Sequence, residues 1–377
     1  MTTIGVCYRL SGDFMQRRTF IQRTSAALAA GVVVAPAQAQ SMPKLNWRLA
    51  SSYPKSLDTL YGGVELFAKR VAELTDGRFV IRPFPAGELV PAFQVLDAVQ
   101  AGTVELGHSA SYFYFGKDPS FTFETCAPFG LNSRQQTAWY VAGGGRELHH
   151  EFLKNYGLTS LPMGNTGCQM GGWFRKEINT VADLSGLKMR VGGFAGRIMQ
   201  RLGVVPQQIP GGDIYPALEK GAIDAAEFVG PYDDEKLGFE RVAPYYYTPG
   251  WWETGSQITL FISRKQWDAL PSIYRAVLTT AAYESHVTVQ AEYDVRNPQA
   301  LARLIKRGTK LRAFPGPVME AFAKATNDAM AEEAAKNANF KKLYDHYQRF
   351  QRDQNQWYSV AEARLQNFQI AAMRSRK

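Results

Sequence analysis

The apolar residues of this chain switch repeatedly between a period of two and a period near 3.6, and that switching limits the fold more than any other feature. Leu45-Asn-Trp-Arg-Leu-Ala-Ser alternates and reads as a strand. Over residues 59–73 the positions Leu60, Val64, Phe67, Ala68 and Val71 fall at helical spacing. Asp76-Gly77 turns the chain into a second strand, Arg78-Phe-Val-Ile-Arg-Pro. Pro91 opens a helix through Val99, Gly102 closes it, and residues 104–109 give a third strand. This order predicts a mostly parallel sheet with helices on its faces. A long helical stretch, 133–155, follows. The alternation then returns as strand 187–191, helix 196–202, strand 206–209, helix 214–221 and strand 223–228. Two such blocks imply two α/β lobes and a cleft between them. Open α/β sheets bind ligands beyond the carboxyl ends of their strands, at such crevices.

The two ends of the chain differ from this middle. Met15-Gln-Arg-Arg-Thr-Phe-Ile-Gln sets the pair Arg17-Arg18 before an apolar run, Ala26 through Val34, and Ala37-Gln38-Ala39 fits a small-x-small cleavage site. Residues 1–39 therefore read as a cleavable twin-arginine export signal, with Met15 an alternative start, and the mature chain 40–377 as periplasmic. The apolar run is far shorter than the roughly 20 residues of a membrane span, and no later segment qualifies. At the other end, residues 339–375 contain neither Pro nor Gly. Phe340, Leu343, Tyr347, Phe350, Trp357, Ala361, Phe368 and Ala372 recur there at steps of three, four or their sum. A helix of that length spans roughly 55 Å, too long for one lobe to cover. It either wraps along its own protein with a break near Asp353, or packs partly on a second subunit.

Taking four arginines and one aspartate of the signal from 43 basic and 34 acidic residues leaves a net charge of +6. No basic stripe accompanies it, so a nucleic-acid partner is not expected. Cys7 leaves with the signal. Cys126 and Cys168 form either one disulfide or two separate thiols, and neither belongs to a CxxC pattern.

Catalytic signatures are missing: there is no HExxH, GxSxG or GxxxxGK[ST]. His149-His150 point about 100° apart on a helix and are expected at the surface. Val191-Gly-Gly-Phe-Ala-Gly196 lacks the first glycine of a dinucleotide loop and reads as a tight strand-to-helix turn, whose amides can meet an anion. A periplasmic oxidoreductase exported with its cofactor is the alternative, disfavoured by that missing glycine.

Three stretches carry more chemistry. Asn165-Thr-Gly-Cys-Gln-Met-Gly-Gly-Trp173 lets backbone approach a ligand and offers the amides of Asn165 and Gln169. Arg190 ends the apolar strand Leu187-Lys-Met-Arg-Val191, suited to bidentate capture of a carboxylate. Glu227, in Asp224-Ala-Ala-Glu-Phe-Val-Gly-Pro231, is a strand-end carboxylate able to bind a hard cation. Glu253 in Pro-Gly-Trp-Trp-Glu-Thr adds an oxygen donor, and Tyr112, Phe113 and Tyr114 resemble a cleft wall.

At these stretches, and at Phe84-Pro-Ala-Gly-Glu-Leu-Val-Pro-Ala-Phe93 and His108-Ser-Ala-Ser-Tyr-Phe-Tyr114, the chain resembles the periplasmic solute receptors of TRAP transporters. It is most similar to the branch that binds 2-oxo acids such as pyruvate, and to lactate-type receptors. The resemblance implies a binding protein rather than an enzyme, with a two-lobed, type II-like periplasmic binding fold, mixed sheets and crossing elements. Lobe 1 is expected at about 44–164 with a return near 254–315, and lobe 2 at about 165–253. Arg190 would hold the ligand carboxylate, with Asn165 and Tyr112 as ligand-side contacts. Gln169, Glu227 and the Phe228 carbonyl, with Glu253 as a fourth, would hold a sodium or calcium ion beside an organic acid anion. That branch usually has Trp where Phe228 stands, so the pocket wall differs here. The membrane subunits of the transporter are the implied partners, and the long C-terminal helix implies a homodimer. On this basis Arg190→Ala should abolish binding and leave the thermal melt largely intact.

Overall fold

The computed structural model describes residues 42–375, so the export signal expected at 1–39 lies outside the described residues. In chain order the described strands are β1 (Leu45–Ser51), β2 (Phe79–Phe84), β3 (Leu106–Ser109), β4 (Leu158–Asn165), β5 (Gly172–Phe174), β6 (Lys188–Arg190), β7 (Val205–Gln207), β8 (Ala225–Ala226), β9 (Tyr245–Thr248), β10 (Gln257–Ser263) and β11 (Lys310–Ala313). They form two sheets, ordered β2-β1-β3-β10-β4 and β11-β9-β5-β8-β6-β7.

Each sheet has the parallel βαβ kernel that the sequence periodicity predicts: β1 runs parallel to β2 and β3, and β6 runs parallel to β7 and β8. Neither sheet is parallel throughout. β10 lies antiparallel between β3 and β4, and β5 lies antiparallel between β8 and β9. The reason is connectivity. The chain leaves the first sheet after β4, builds the second, returns from β9 into β10, and crosses again along the 35-residue helix Ser272–Lys306. β11 then pairs with β9, so residues 310–313 belong to the second sheet and not to the lobe 1 return expected up to 315.

Other expectations are corrected. The helix expected over 133–155 is two helices, Ser133–Val141 and Gly145–Lys154. Gly144 between them has φ of +85°, and a side chain at Gly145 would strike the Trp139 ring at 2.7 Å. His149 is buried, not exposed: its Nδ1 pairs with the Gly145 carbonyl at 3.0 Å and its ring meets Trp139 edge-on. His150 is half-buried against the Ser160 carbonyl at 2.8 Å. Cys126 and Cys168 are free thiols. The C-terminal helix breaks at Ala361, into Ala338–Val360 and Glu362–Arg374, rather than near Asp353. Its first turns bury Phe340, Leu343 and Tyr347, whereas Trp357, Val360, Leu365, Phe368 and Met373 are exposed.

The first lobe encloses one carboxyl that sequence reading passed over. Glu124 is fully buried; Ser160 Oγ donates to its Oε1, Tyr140 Oη donates to the same oxygen at 3.2 Å, and Oε2 has no protein partner. Burial pushes it from the usual 4.5 up to about 7. The folded protein therefore keeps a proton that the unfolded chain releases. The stability this supplies is full below about pH 4.5 and is lost as pH rises to about 7, a change on the order of 3 kcal/mol. Glu124→Gln stays neutral and should lack that loss. In thermal unfolding at pH 4.5 and pH 7.5, the melting temperature of the variant should gain on the parent as pH rises; parallel curves would refute the assignment.

Candidate functional site

The carboxyl ends of the parallel strands converge on one cavity. Tyr53 follows β1; Ala110, Tyr112 and Phe113 follow β3; Arg190 ends β6; Phe228 and Val229 follow β8. Thr166 and Gln169 come from the segment leaving β4, and Glu253 from the segment entering β10. The antiparallel β10 contributes its amino end, Ile258, with Ser256 just before it, as its reversed direction requires. The cavity is nearly filled by its own lining: the free space left is about 10 Å³, roughly enough for one water.

Arg190 is its electrostatic centre, only 1% exposed. Its Nη1 donates to the Glu227 carboxylate at 2.5 Å and to the Glu227 carbonyl at 2.7 Å, and its Nε donates to the Ile209 carbonyl at 3.0 Å. The guanidinium carbon lies 5.4 Å from the centre of the Phe228 ring. Glu227 Oε1 also accepts the Gly192 amide at 2.8 Å. The anion met by the Gly-Gly turn is thus the protein's own carboxylate. The glycines have a second reason: Cβ atoms at Gly192 and Gly193 would lie 2.6 and 2.8 Å from the Tyr112 ring. Tyr112 of the first lobe closes directly on the backbone of the second.

The remaining oxygens are under-partnered. Glu227 Oε2 and Gln169 Oε1 are buried without a hydrogen-bond partner in the protein, although Gln169 Nε2 donates to Thr166 Oγ1 at 3.2 Å. Glu253 accepts from Ser256 Oγ at 2.5 Å. Burial, and next the neighbouring Glu227 charge, push Glu253 up to about 8, and burial likewise raises Glu227. Two buried carboxyls, an orphaned carboxylate oxygen and an orphaned amide oxygen are hard donors that fit a sodium- or calcium-like cation. Among the described residues no cluster of three or more His, Cys, Asp or Glu side chains is placed to hold a metal. A cation here must draw on amide or carbonyl oxygens as well.

Of the residues singled out from sequence, Arg190, Gln169, Tyr112, Phe228 and Glu253 line the cavity, with Glu227 directly behind Arg190. Asn165 is placed otherwise. Its Oδ1 accepts the Gly167 amide at 2.9 Å and its Nδ2 donates to the Gly255 carbonyl at 3.3 Å, so it ties the two crossing segments together. Tyr53, Thr166, Ser256 and Ile258 were not anticipated. Tyr53 had a usable signal, since it lies two residues beyond the end of the first strand.

The sequence profile of the bacterial extracellular solute-binding proteins, family 7 (DctP), matches residues 50–337. This chain belongs to that family. Family 7 proteins are receptors that bind solutes and are not enzymes. A monocarboxylate 2-oxoacid-binding periplasmic protein of Nostoc is 47% identical over 360 residues, covering 94% of this chain and 99% of that one. A TRAP transporter solute-binding protein of Bordetella bronchiseptica is 51% identical, with a TM-score of 0.87 over 89% of this chain and 100% of that one. It was solved as a mixed-occupancy dimer, with copurified calcium and picolinate in one site and the other site apo. A relative from Pseudoalteromonas atlantica, 39% identical with a TM-score of 0.83 over 86% and 99% of the two chains, holds sodium and pyruvate. The two-lobed fold and the periplasmic setting of family 7 thus agree with the sequence expectations. No helix among the described residues is long and apolar enough to cross a membrane.

The buried pair revises what loss of Arg190 should do. Its removal strands Glu227 in the protein interior, and breaking such pairs typically costs about 3–5 kcal/mol. Arg190→Ala should therefore lower the melting temperature of the unliganded receptor by several degrees, measured by calorimetry at pH 7. An unchanged melt would show that the pair contributes nothing to the fold.

Proposed function

We propose that this family 7 receptor binds a 2-oxo or 2-hydroxy monocarboxylic acid together with a sodium or calcium ion, and delivers it to the membrane subunits of a TRAP transporter. The observation that carries this reading is the pair of orphaned buried oxygens, Glu227 Oε2 and Gln169 Oε1, at a site centred on Arg190. A 2-oxo acid presents a carboxylate oxygen and a carbonyl oxygen spaced to chelate one cation in a five-membered ring. Picolinate presents a ring nitrogen and a carboxylate oxygen in the same relation. Compounds as different as pyruvate and picolinate can therefore satisfy one kind of site.

Gln169, Glu227, the Phe228 carbonyl and Glu253 are the residues that would hold the cation, which supplies charge compensation for the buried acid. Arg190 supplies the rest. Its bonds to protein use Nε and Nη1, leaving Nη2 as the nitrogen for the acid's second carboxylate oxygen. Tyr53, Phe113 and Phe228 form the wall around the acid's side group, with Ile258 and Leu60 completing its apolar part. An anion buried here without arginine and cation would cost several kcal/mol.

Two further parts of the reading concern delivery. The Arg17-Arg18 signal would send the receptor to the periplasm, and a second copy would cover the exposed Trp357, Val360, Leu365, Phe368 and Met373 face of the C-terminal helix. The dimer in the Bordetella bronchiseptica structure supports that assembly. Light scattering on the mature chain should give twice the monomer mass, and a monomer would exclude it.

Titration calorimetry of protein stripped by chelator and exchanged into sodium-free buffer should show pyruvate binding only after calcium or sodium is restored. Binding of equal strength in that cation-free buffer would remove the cation from the site. Phe228→Trp should weaken picolinate more than pyruvate, because the Phe228 ring already lies 2.6 Å from where a Cβ on Gly211 would sit, leaving a larger ring no space but the cavity. Equal losses for both acids would remove Phe228 from the wall.

A further inference from the structure

Glu253 has no secondary structure of its own: it lies in the eight-residue gap between β9 and β10, 249–256, and must be held from outside. On the cavity side the segment 165–169 supports it, through the Gln169 amide on the Glu253 carbonyl at 2.9 Å and the Thr166 amide on the Ser256 carbonyl at 3.0 Å. On the opposite side lies the turn 127–132. The Phe129 amide donates to the Trp251 carbonyl at 2.7 Å, and Thr254 Oγ1 donates to the Leu131 carbonyl at 2.7 Å. The Phe129 and Trp251 rings stack at 5.1 Å. Backbone meets backbone next to them: a Cβ on Gly255 would lie 2.2 Å from the Ser133 nitrogen. Both flanks of Glu253 are thus fastened to this turn.

The turn is in turn shaped by the C-terminal helix. Tyr347, 1% exposed, accepts the Leu131 amide on its hydroxyl at 2.7 Å, and Gln351 Nε2 donates to the Phe129 carbonyl at 2.7 Å. The backbone wraps the Tyr347 hydroxyl so tightly that a Cβ on Gly130 would lie 2.3 Å from it. Phe129 adopts φ of +53°, a conformation a bulky residue holds only where its surroundings enforce it.

We propose that Tyr347 is a positioning residue for ligand binding: from the C-terminal helix it fixes turn 127–132, which through Trp251 and Thr254 holds Glu253 at the cavity. The helix Ala338–Val360, which bears Tyr347, is therefore mechanically joined to the binding site. The proposal deepens the cation-and-acid reading above and rests on it for the affinity measurement, but not for the exchange measurement.

Outer supports of metal sites typically change affinity by about 10–100-fold when removed. Tyr347→Phe keeps the ring and loses the hydroxyl. In the full mature protein it should weaken pyruvate binding in saturating calcium by about tenfold. Thr254→Val should do the same, and the double variant should be no weaker than the poorer single one, because both cut one path. Hydrogen exchange of the unliganded protein gives the independent readout. Peptides covering 250–256 should exchange faster in Tyr347→Phe, while those covering β1 stay unchanged. Unchanged exchange at 250–256, or affinity losses that multiply in the double variant, would overturn the proposal. If Tyr347→Phe fails to fold, Thr254→Val decides alone, by faster exchange at 127–132 or its absence. A parent protein that binds neither calcium nor pyruvate would sink the function proposed above, and exchange would still decide the positioning role.

Discussion

The buried contact between Arg190 and Glu227 is the constraint around which the site is arranged. Taking a guanidinium and a carboxylate out of water is expensive, and the cost is recovered only where geometry is good and the remaining donors and acceptors are satisfied. Here the surroundings meet most of that demand with backbone: the Ile209 and Glu227 carbonyls, and the Gly192 amide at the start of a helix. That arrangement fixes the ends of β6 and β8 beside each other and requires the Gly192-Gly193 turn. One carboxylate oxygen, Glu227 Oε2, remains unsatisfied. A protein that retains such an atom within its interior sacrifices stability there, and ligand sites are where that sacrifice is repaid.

The second level of organisation is the crossing of the chain between sheets. Gln169 lies on the segment going out from β4, and Glu253 on the segment coming back into β10. The Gln169 amide on the Glu253 carbonyl at 2.9 Å ties these two segments to each other where they cross between the lobes. Tyr112 packed on Gly192 and Gly193 ties the lobes themselves with an apolar contact.

Much of this was legible in the sequence, for identifiable reasons. The parallel kernels were found because β1, β2, β3 and β6 alternate or sit between clear helices. β4 and β10 were not, because both are buried along nearly their whole length and so lack the alternation of a half-exposed strand. The strand expected over 223–228 shrinks to Ala225–Ala226 because Glu227 and Phe228 leave the ladder to serve the site. Arg190 and Glu227 were legible as strand-end residues, Gln169 from its Gly-rich polar segment and Glu253 from its aromatic loop, each together with the family resemblance. Asn165 braces the backbone at Gly167 and Gly255, and in one dimension an amide in that role looks the same as one that meets a ligand. Gly143, Gly144 and Gly145 were a break signal within an otherwise helical run, and His149 became buried because that break folds its helix back over Trp139.

The central claim is that a cation and an acid share one site, with Gln169 and Glu227 on the cation and Arg190 on the acid. Anomalous diffraction from crystals grown with calcium and pyruvate tests it most directly. A calcium peak about 2.3–2.6 Å from both Gln169 Oε1 and Glu227 Oε2, with the pyruvate carboxylate on Arg190, is the predicted result. Pyruvate bound on Arg190 with no anomalous peak at those two oxygens would contradict it.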